Sequence, residues 1–109
     1  QADIIIVLSH LGLEKDTRLA ESVPGIDLIV GGRSRKILPQ PLVVQSTGTI
    51  IVQAGYRGEW IGMVALEIDS QGTVTSHRGQ VVPLRGDEYW DDQEMVDLVS
   101  KFEAEIGRE

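Results

Sequence analysis

Two short apolar runs, separated by a segment with helical spacing, constrain the fold of this chain more than any other feature. Residues 2–8 and 26–30 are rich in β-branched side chains, and each run is followed by a glycine-containing segment. Between them, residues 14–23 place apolar side chains at helical spacing until a Pro-Gly pair stops the pattern. Strand, helix and strand in this order imply a parallel strand pair joined by a right-handed crossover. The first 32 residues therefore predict a βαβ unit whose strands are buried on both faces.

The pattern changes after Pro39 and Pro41. Four short runs, separated by glycines, are predicted to be consecutive antiparallel strands at residues 42–45, 50–54, 61–69 and 73–82. Between the last two runs, residues 70–72 (Ser-Gln-Gly) predict a three-residue hairpin connection, in which Gly72 supplies a left-handed backbone conformation.

The last part of the chain has the pattern of an amphipathic helix. Asp91, with Glu94 three residues later, is the predicted N-cap in a carboxylate variant of the capping box. The apolar positions recur at helical intervals and are predicted to dock on a sheet: Met95, Val96, Leu98, Val99, Phe102 and Ile106. The predicted fold is α/β, with a βαβ unit followed by antiparallel strands and a C-terminal helix.

Composition and charge exclude several classes of protein. The 17 Asp plus Glu outnumber the 10 Lys plus Arg, and the net charge of -7 repels a phosphate backbone, so no nucleic acid partner is predicted. No apolar run approaches the ~18 residues that span a bilayer, so no membrane partner is predicted. The absence of cysteine excludes disulfides and thiolate metal sites. The length fits one domain, and a start at Gln1 without a leader leads us to expect a fragment.

The candidate site lies where the two strands of the βαβ unit end. In an open parallel sheet, ligands collect at the carboxyl ends of the strands. Here those ends are residues 9–10 (Ser-His) and residues 31–35 (Gly-Gly-Arg-Ser-Arg). We therefore expect these two segments to be neighbours.

At this edge the sequence resembles a known family, the calcineurin-like metallophosphoesterases of the 5'-nucleotidase and UDP-sugar hydrolase branch. The family has a Ser-His-Leu-Gly block after one strand and a Gly-Gly-His-Ser-His block after the next. The matching positions are residues 8–12, Asp16, Leu19, Ala20, residues 23–32 and, more loosely, residues 52–55 with Gly58 and Gly62. These blocks follow the family's order over roughly residues 1–85. Their combination is therefore specific evidence for the resemblance, whereas a match to one block alone would be weak evidence.

The resemblance implies both a fold and a chemistry. Residues 1–85 would be the C-terminal half of a metallophosphatase domain, which is a two-sheet sandwich. Residues 86–109 would be a closing helix and linker towards a specificity domain that this chain lacks. The family binds a pair of divalent ions, such as manganese or zinc, which activate a water and clamp a phosphate ester. The resemblance thus implies hydrolysis of phosphate esters or nucleotides, in the periplasm or outside the cell.

Two arginines depart from the family pattern. His10 matches a ligand of one ion, whereas Arg33 and Arg35 occupy the positions of one ligand for each ion. A guanidinium has no lone pair to donate and stays charged, so each change removes a ligand and adds positive charge. The family's Asp-x-His, Gly-Asp and Gly-Asn-His-Glu blocks would precede Gln1 and are absent from this chain. We therefore predict no catalytic residue here, no tightly bound metal pair and no activity of this chain alone.

The arginines and the histidine each have two interpretations. Arg33 and Arg35 form an oxyanion site together with the backbone N–H groups of Gly31 and Gly32, or they reflect drift or mutation in a disused site. The net charge of -7 favours drift, because it gives little long-range attraction for anions. His10 is an inherited ligand position, or a histidine that is merely hydrogen-bonded at a strand end.

Five other polar or aromatic features have simpler predicted roles. Asp16 is predicted to cap the first helix, and Asp27 to pair with a nearby basic group. His77 is predicted to be a surface residue in its strand, and Trp60 to pack in the core or at a strand edge. Residues 89–90 (Tyr-Trp) are predicted to be an exposed joint or partner surface.

Three functional hypotheses follow from the sequence. The chain is part of a 5'-nucleotidase-like hydrolase, or a pseudoenzyme that binds an oxyanion, or a structural domain that associates with itself. The corresponding partners are a phosphate or nucleotide, a second copy, or the missing N-terminal half. If that half is missing, a buried strand is left unpaired, and such a strand is a template for association.

Overall fold

The fold is α/β, as the sequence predicts. The computed structural model describes residues 2–107, which form six strands and two helices. In chain order these are β1 (Ile6–Leu8), α1 (Leu13–Ser22), β2 (Leu28–Val30), β3 (Leu42–Val43), β4 (Ile50–Val52), β5 (Trp60–Ile68), β6 (Val74–Pro83) and α2 (Gln93–Ile106).

The first four strands form one sheet in the order β1-β2-β4-β3. β1 is parallel to β2, and β2 is parallel to β4, while β3 runs antiparallel to β4. The predicted βαβ unit is therefore confirmed. The predicted antiparallel pairing holds for β3 with β4, but β4 is also the third parallel strand of this sheet.

The core lies between this sheet and α1. The register places Val7, Ile29 and Ile51 side by side on neighbouring strands. Ile29 and Ile51 pack with Ala20 of α1 and with Val44, and Val7 lies against this cluster. Ala20, Ile29 and Ile51 have no exposed surface, so this row of side chains is the best-packed part of the molecule.

β5 and β6 form a separate antiparallel hairpin. The Asp69 N–H donates to Thr73 O at 2.9 Å, and Gly72 has a φ of 79°. The predicted connection at residues 70–72, with Gly72 in the left-handed region, is therefore confirmed. The expectation of consecutive antiparallel strands fails between β4 and β5, because the two strands lie in different sheets.

The hairpin faces the first sheet across an apolar cleft of about 280 Å³. Glycines on the hairpin allow the closest approaches. An added Cβ at Gly62 would lie 3.3 Å from the Ala54 Cβ, and one at Gly79 would lie 2.5 Å from the Pro41 Cγ. The chain therefore contains two layers that touch at a few points and leave a gap between them.

The first strand is not buried on both faces, which corrects the sequence-based prediction. Ile6 is 53% exposed and Leu8 is 82% exposed, whereas Val7 is partly buried. β1 is the edge of the sheet, and only the side that carries Val7 faces the core. An apolar run predicts a buried strand only when both faces acquire a covering layer.

α2 begins one residue later than predicted, and its apolar face is not docked. Asp92 is the N-cap, since its Oδ1 accepts from Met95 N–H at 2.9 Å, and Asp91 precedes it. No residue of α2 is buried, and the face predicted to dock is exposed, from Val96 at 38% to Ile106 at 72%. The predicted helical periodicity is confirmed, but the predicted packing on a sheet is wrong within the described chain.

Neither helix in residues 2–107 has the length and apolar composition that crossing a bilayer requires.

Candidate functional site

The carboxyl ends of β1, β2 and β4 meet at one edge of the sheet. The Ser9 N–H donates to Val30 O, and the Gly31 N–H donates to Val52 O, each at 2.9 Å. An added Cβ at Gly32 would lie 3.7 Å from Ser9 O. The segments at residues 9–10 and 31–35 are therefore neighbours, as the sequence predicts.

Two hydrogen bonds through Ser9 fix the turn that carries His10. The Leu11 N–H donates to Ser9 Oγ at 3.1 Å, and Ser9 Oγ–H donates in turn to Asp16 Oδ1. The imidazole of His10 itself is exposed at the surface of the turn. His10 thus lies on a turn that the buried Asp16 carboxylate orients through Ser9.

Asp16 does not cap α1, which corrects the prediction. The N-cap residue is Gly12, and the Asp16 N–H donates to Gly12 O at 2.9 Å, so Asp16 already lies within the helix. The Asp16 side chain is fully buried, and within residues 2–107 its Oδ2 has no hydrogen-bond partner. An added Cβ at Gly31 would lie 2.7 Å from that oxygen. Glycine at position 31 therefore leaves the space that the carboxylate occupies.

A second polar pair, which the sequence did not identify, lies beside Asp16. The Gln53 side chain is 2% exposed, and its Nε2 donates to Ser34 Oγ at 2.8 Å. The Leu13 N–H also donates to Ser34 Oγ, at 3.3 Å, so Ser34 links the start of α1 to Gln53, which directly follows β4. A glutamine between Val52 and Ala54 in an apolar strand was the available signal, because a polar side chain there must be exposed or hydrogen-bonded.

Arg33 and Arg35 lie on the exposed loop after β2. Both have positive φ values, of 52° and 58°, and the Arg35 guanidinium lies 5.4 Å from the centroid of the Tyr56 ring. Within residues 2–107, the recorded ion pair is the one between Arg18 and Glu14, so neither loop arginine is neutralised by a carboxylate there. Of the two predicted backbone donors, Gly31 N–H is already donated to Val52 O. It cannot also bind an anion in this conformation.

The residues present do not fit a pair of divalent ions. Over residues 2–107, no three His, Cys, Asp or Glu side chains come together as a metal site. At the strand ends the described donors are one exposed imidazole and a buried carboxylate, and the other two side chains are guanidinium groups. Arginine cannot donate a lone pair, so Arg33 and Arg35 cannot serve as metal ligands.

The remaining side chains fall into simpler environments. Asp27 Oδ2 accepts from the Ile5 N–H at 2.9 Å, so it supports the start of β1, and within residues 2–107 it forms no ion pair with a basic group. His77 is exposed on β6, and Trp60 is partly buried at the start of β5, as predicted. Tyr89 and Trp90 are exposed, as predicted, and Trp90 is 99% exposed.

Comparisons with known proteins point in one direction, although no family model matches the sequence. The trifunctional nucleotide phosphoesterase YfkN of Bacillus subtilis is 33% identical over 104 residues, which are 94% of this chain and 7% of that protein. The human 5'-nucleotidase is 32% identical over 96 residues, which are 73% of this chain and 17% of that protein.

A solved structure shares the fold. The 5'-nucleotidase precursor of Thermus thermophilus aligns with a TM-score of 0.87 at 24% sequence identity, over 98% of this chain and 24% of that chain. The protein described here therefore spans less than a quarter of the length of each of these three proteins.

Proposed function

Because its homologues and structural neighbours are members of the 5'-nucleotidase and metallophosphoesterase family, we propose that this chain is part of a phosphoesterase that hydrolyses phosphate esters or nucleotides. One observation carries the proposal: the family-like blocks at residues 8–12 and 31–35 lie together at the carboxyl ends of adjacent parallel strands. That edge is where an open α/β sheet places its ligands.

The chain alone is proposed to be inactive. A dinuclear site needs several ligands for each ion, and the described strand ends supply His10 and two guanidinium groups. In a longer protein, these residues would contribute the turn with His10 and the arginine loop, while the other ligands would come from outside this chain. Asp16 and Gln53 would hold these two segments in place beneath the site.

The proposed domain division separates residues 1–85 from residues 86–109. Exposure supports it, because α2 has no buried residue and Trp90 in the connecting segment lies almost wholly in water. In this proposal residues 1–85 belong to the metallophosphatase domain and the rest leads towards a specificity domain. A periplasmic or extracellular location is proposed from the family alone.

Two measurements test the hydrolase proposal. We expect no phosphatase activity from the 109-residue chain with added manganese, and no stoichiometric metal by emission spectroscopy after dialysis. The double variant Arg33→His, Arg35→His should remain inactive as well, because the catalytic blocks are still missing. Robust hydrolysis of a nucleoside monophosphate by that variant would overturn the account, whereas activity of a longer parent protein supports it.

A second candidate is a module that binds an oxyanion at Arg33 and Arg35. The observation in its favour is that both guanidinium groups are exposed, with no carboxylate partner in the described part of the chain. Guanidinium forks match the geometry of tetrahedral oxyanions. Titration with inorganic phosphate, followed by NMR, should shift the amides of Arg33 and Arg35. No shift at millimolar phosphate counts against this candidate.

A third candidate, self-association, rests on the exposed apolar surfaces of β1 and α2. Ile6 and Leu8 are more than half exposed on an edge strand, and Phe102 is 53% exposed on α2. Such surfaces favour association in water. Analytical ultracentrifugation should show an assembly that grows with concentration, and a clean monomer at high concentration argues against it.

A further inference from the structure

Within residues 2–107, every residue other than glycine that has a positive φ is an arginine. These residues are Arg33 at 52°, Arg35 at 58° and Arg57 at 63°. Left-handed backbone is unfavourable for residues with a Cβ, and it is kept mainly where the surrounding structure or a function requires it. Three arginines in this conformation therefore indicate that the structure or a function of these loops requires it.

The loops that carry these arginines are joined to each other. Arg33 and Arg35 follow β2, and Arg57 follows β4, which is the neighbouring strand of the sheet. The Gly55 N–H donates to Lys36 O at 2.8 Å, and Ile37 forms an antiparallel bridge with Ala54. The backbone thus fixes the two arginine-bearing loops side by side.

Two of the three guanidinium groups make cation–π contacts with the ring of Tyr56. The Arg35 guanidinium carbon lies 5.4 Å from the centroid of the Tyr56 ring, and that of Arg57 lies 5.5 Å from it. The ring attracts each cation. Within residues 2–107, neither Arg35 nor Arg57 forms an ion pair with a carboxylate; the ion pair there joins Arg18 and Glu14. Two cations therefore lie within 5.5 Å of one ring centroid, on a chain whose net charge is -7.

We propose that Arg35, Tyr56 and Arg57 form a binding site for the dianionic group of a phosphate monoester. In this proposal an oxyanion beside Tyr56 accepts charge-assisted hydrogen bonds from both guanidinium groups. Tyr56 orients the two side chains in the absence of the ligand. This site deepens the oxyanion candidate above, since both use Arg35, but it adds Arg57 from a different loop.

The test uses the 109-residue chain and inorganic phosphate as the probe, at constant ionic strength set with chloride. We expect the backbone amides of Tyr56 and Arg57 and the side-chain Nε–H of Arg35 to shift together in NMR spectra. Arg57→Gln should weaken phosphate binding roughly tenfold, as expected for the loss of one charge-assisted contact. Arg57→Lys keeps the charge but loses the planar fork. Its phosphate affinity should therefore lie between that of the unchanged chain and that of Arg57→Gln.

Arg78→Gln is the matched control, because Arg78 is exposed on β6, away from these loops, and its replacement removes the same charge. Phosphate affinity should not change in this variant. Equal weakening by Arg57→Gln and Arg78→Gln would overturn the proposal, since binding would then depend only on net charge. An unchanged affinity in Arg57→Gln would overturn it as well.

The two anion proposals can fail separately. Shifts confined to Gly32 and Arg33, with no effect of Arg57→Gln, would leave the oxyanion candidate standing and refute the site at Tyr56. Shifts at Tyr56 and Arg57 that survive Arg33→Gln would support the site at Tyr56 and count against a role for Arg33. The amide spectra of the variants without phosphate report whether each has kept its fold.

Discussion

In the four-stranded sheet and the helix α1 that packs on it, Ala20, Ile29 and Ile51 have no exposed surface, whereas β5, β6 and α2 contain no buried residue. Both regions follow regular hydrophobic patterns, so the sequence pattern does not explain the difference. The sheet has α1 against one face and the hairpin across part of the other, while α2 has no such partner in the described chain. Periodicity therefore determines which side chains share a face, and a second layer determines whether that face is buried.

The largest expected effect breaks the packed region and leaves the exposed one intact. Ile29→Ala should lower the free energy of unfolding by about 2–5 kcal/mol, because it removes a fully buried side chain and leaves a cavity. Phe102→Ala, on the exposed face of α2, should change it by no more than about 0.5 kcal/mol. Urea denaturation followed by circular dichroism measures both. Equal losses would mean that α2 packs in solution.

An intermediate effect is expected where the packed region meets the candidate site. Gly31→Ala places a Cβ 2.7 Å from Asp16 Oδ2 and 3.1 Å from Gln53 Oε1, so a buried carboxylate must move. We expect a loss of about 1–3 kcal/mol in the free energy of unfolding. Gly86→Ala is the control, since its added Cβ meets nothing within 4 Å.

A double-mutant cycle sharpens this prediction. If the clash with the carboxylate is the cause, Asp16→Ala should make Gly31→Ala markedly less costly. Additive losses in the double variant would show that the two positions do not interact.

The smallest effect is expected at the start of α2. Asp92→Ala removes the side chain that accepts from Met95 N–H, and it should cost about 1 kcal/mol of helix stability. Asp91→Ala should have little effect, since Asp91 precedes the cap. The helical signal in circular dichroism distinguishes the two, and a greater loss from Asp91→Ala would favour the original capping prediction.

Local patterns predicted the local structure well. The apolar runs at residues 2–8 and 26–30 predicted the parallel pair, and Gly72 predicted the hairpin connection, because each signal depends on neighbours in sequence. The same signals predicted that the ends of β1 and β2 meet. The roles of His10, Arg33 and Arg35 stay predictions.

Individual side-chain contacts between distant segments could not be predicted from the sequence. Aspartate is a residue type typical of helix N-caps, which is why Asp16 was predicted to cap α1. Its burial against Gly31 and Ser9 instead depends on how α1 packs on the sheet. Gln53 likewise needs Ser34, which is 19 residues away, to satisfy its amide. The exposure of Leu8 follows from the edge position of β1, which depends on the order of the strands and not on the strand's own residues.

The two tryptophans give this molecule a built-in optical reporter. Trp60 is partly buried at the start of the hairpin, and Trp90 is 99% exposed just before α2. Indole emission moves to shorter wavelength when the ring leaves water, and Trp90 has nearly its whole surface left to lose. Any partner that covers the start of α2 should therefore shift the emission of Trp90 without a label. A Trp60→Phe variant would isolate that signal.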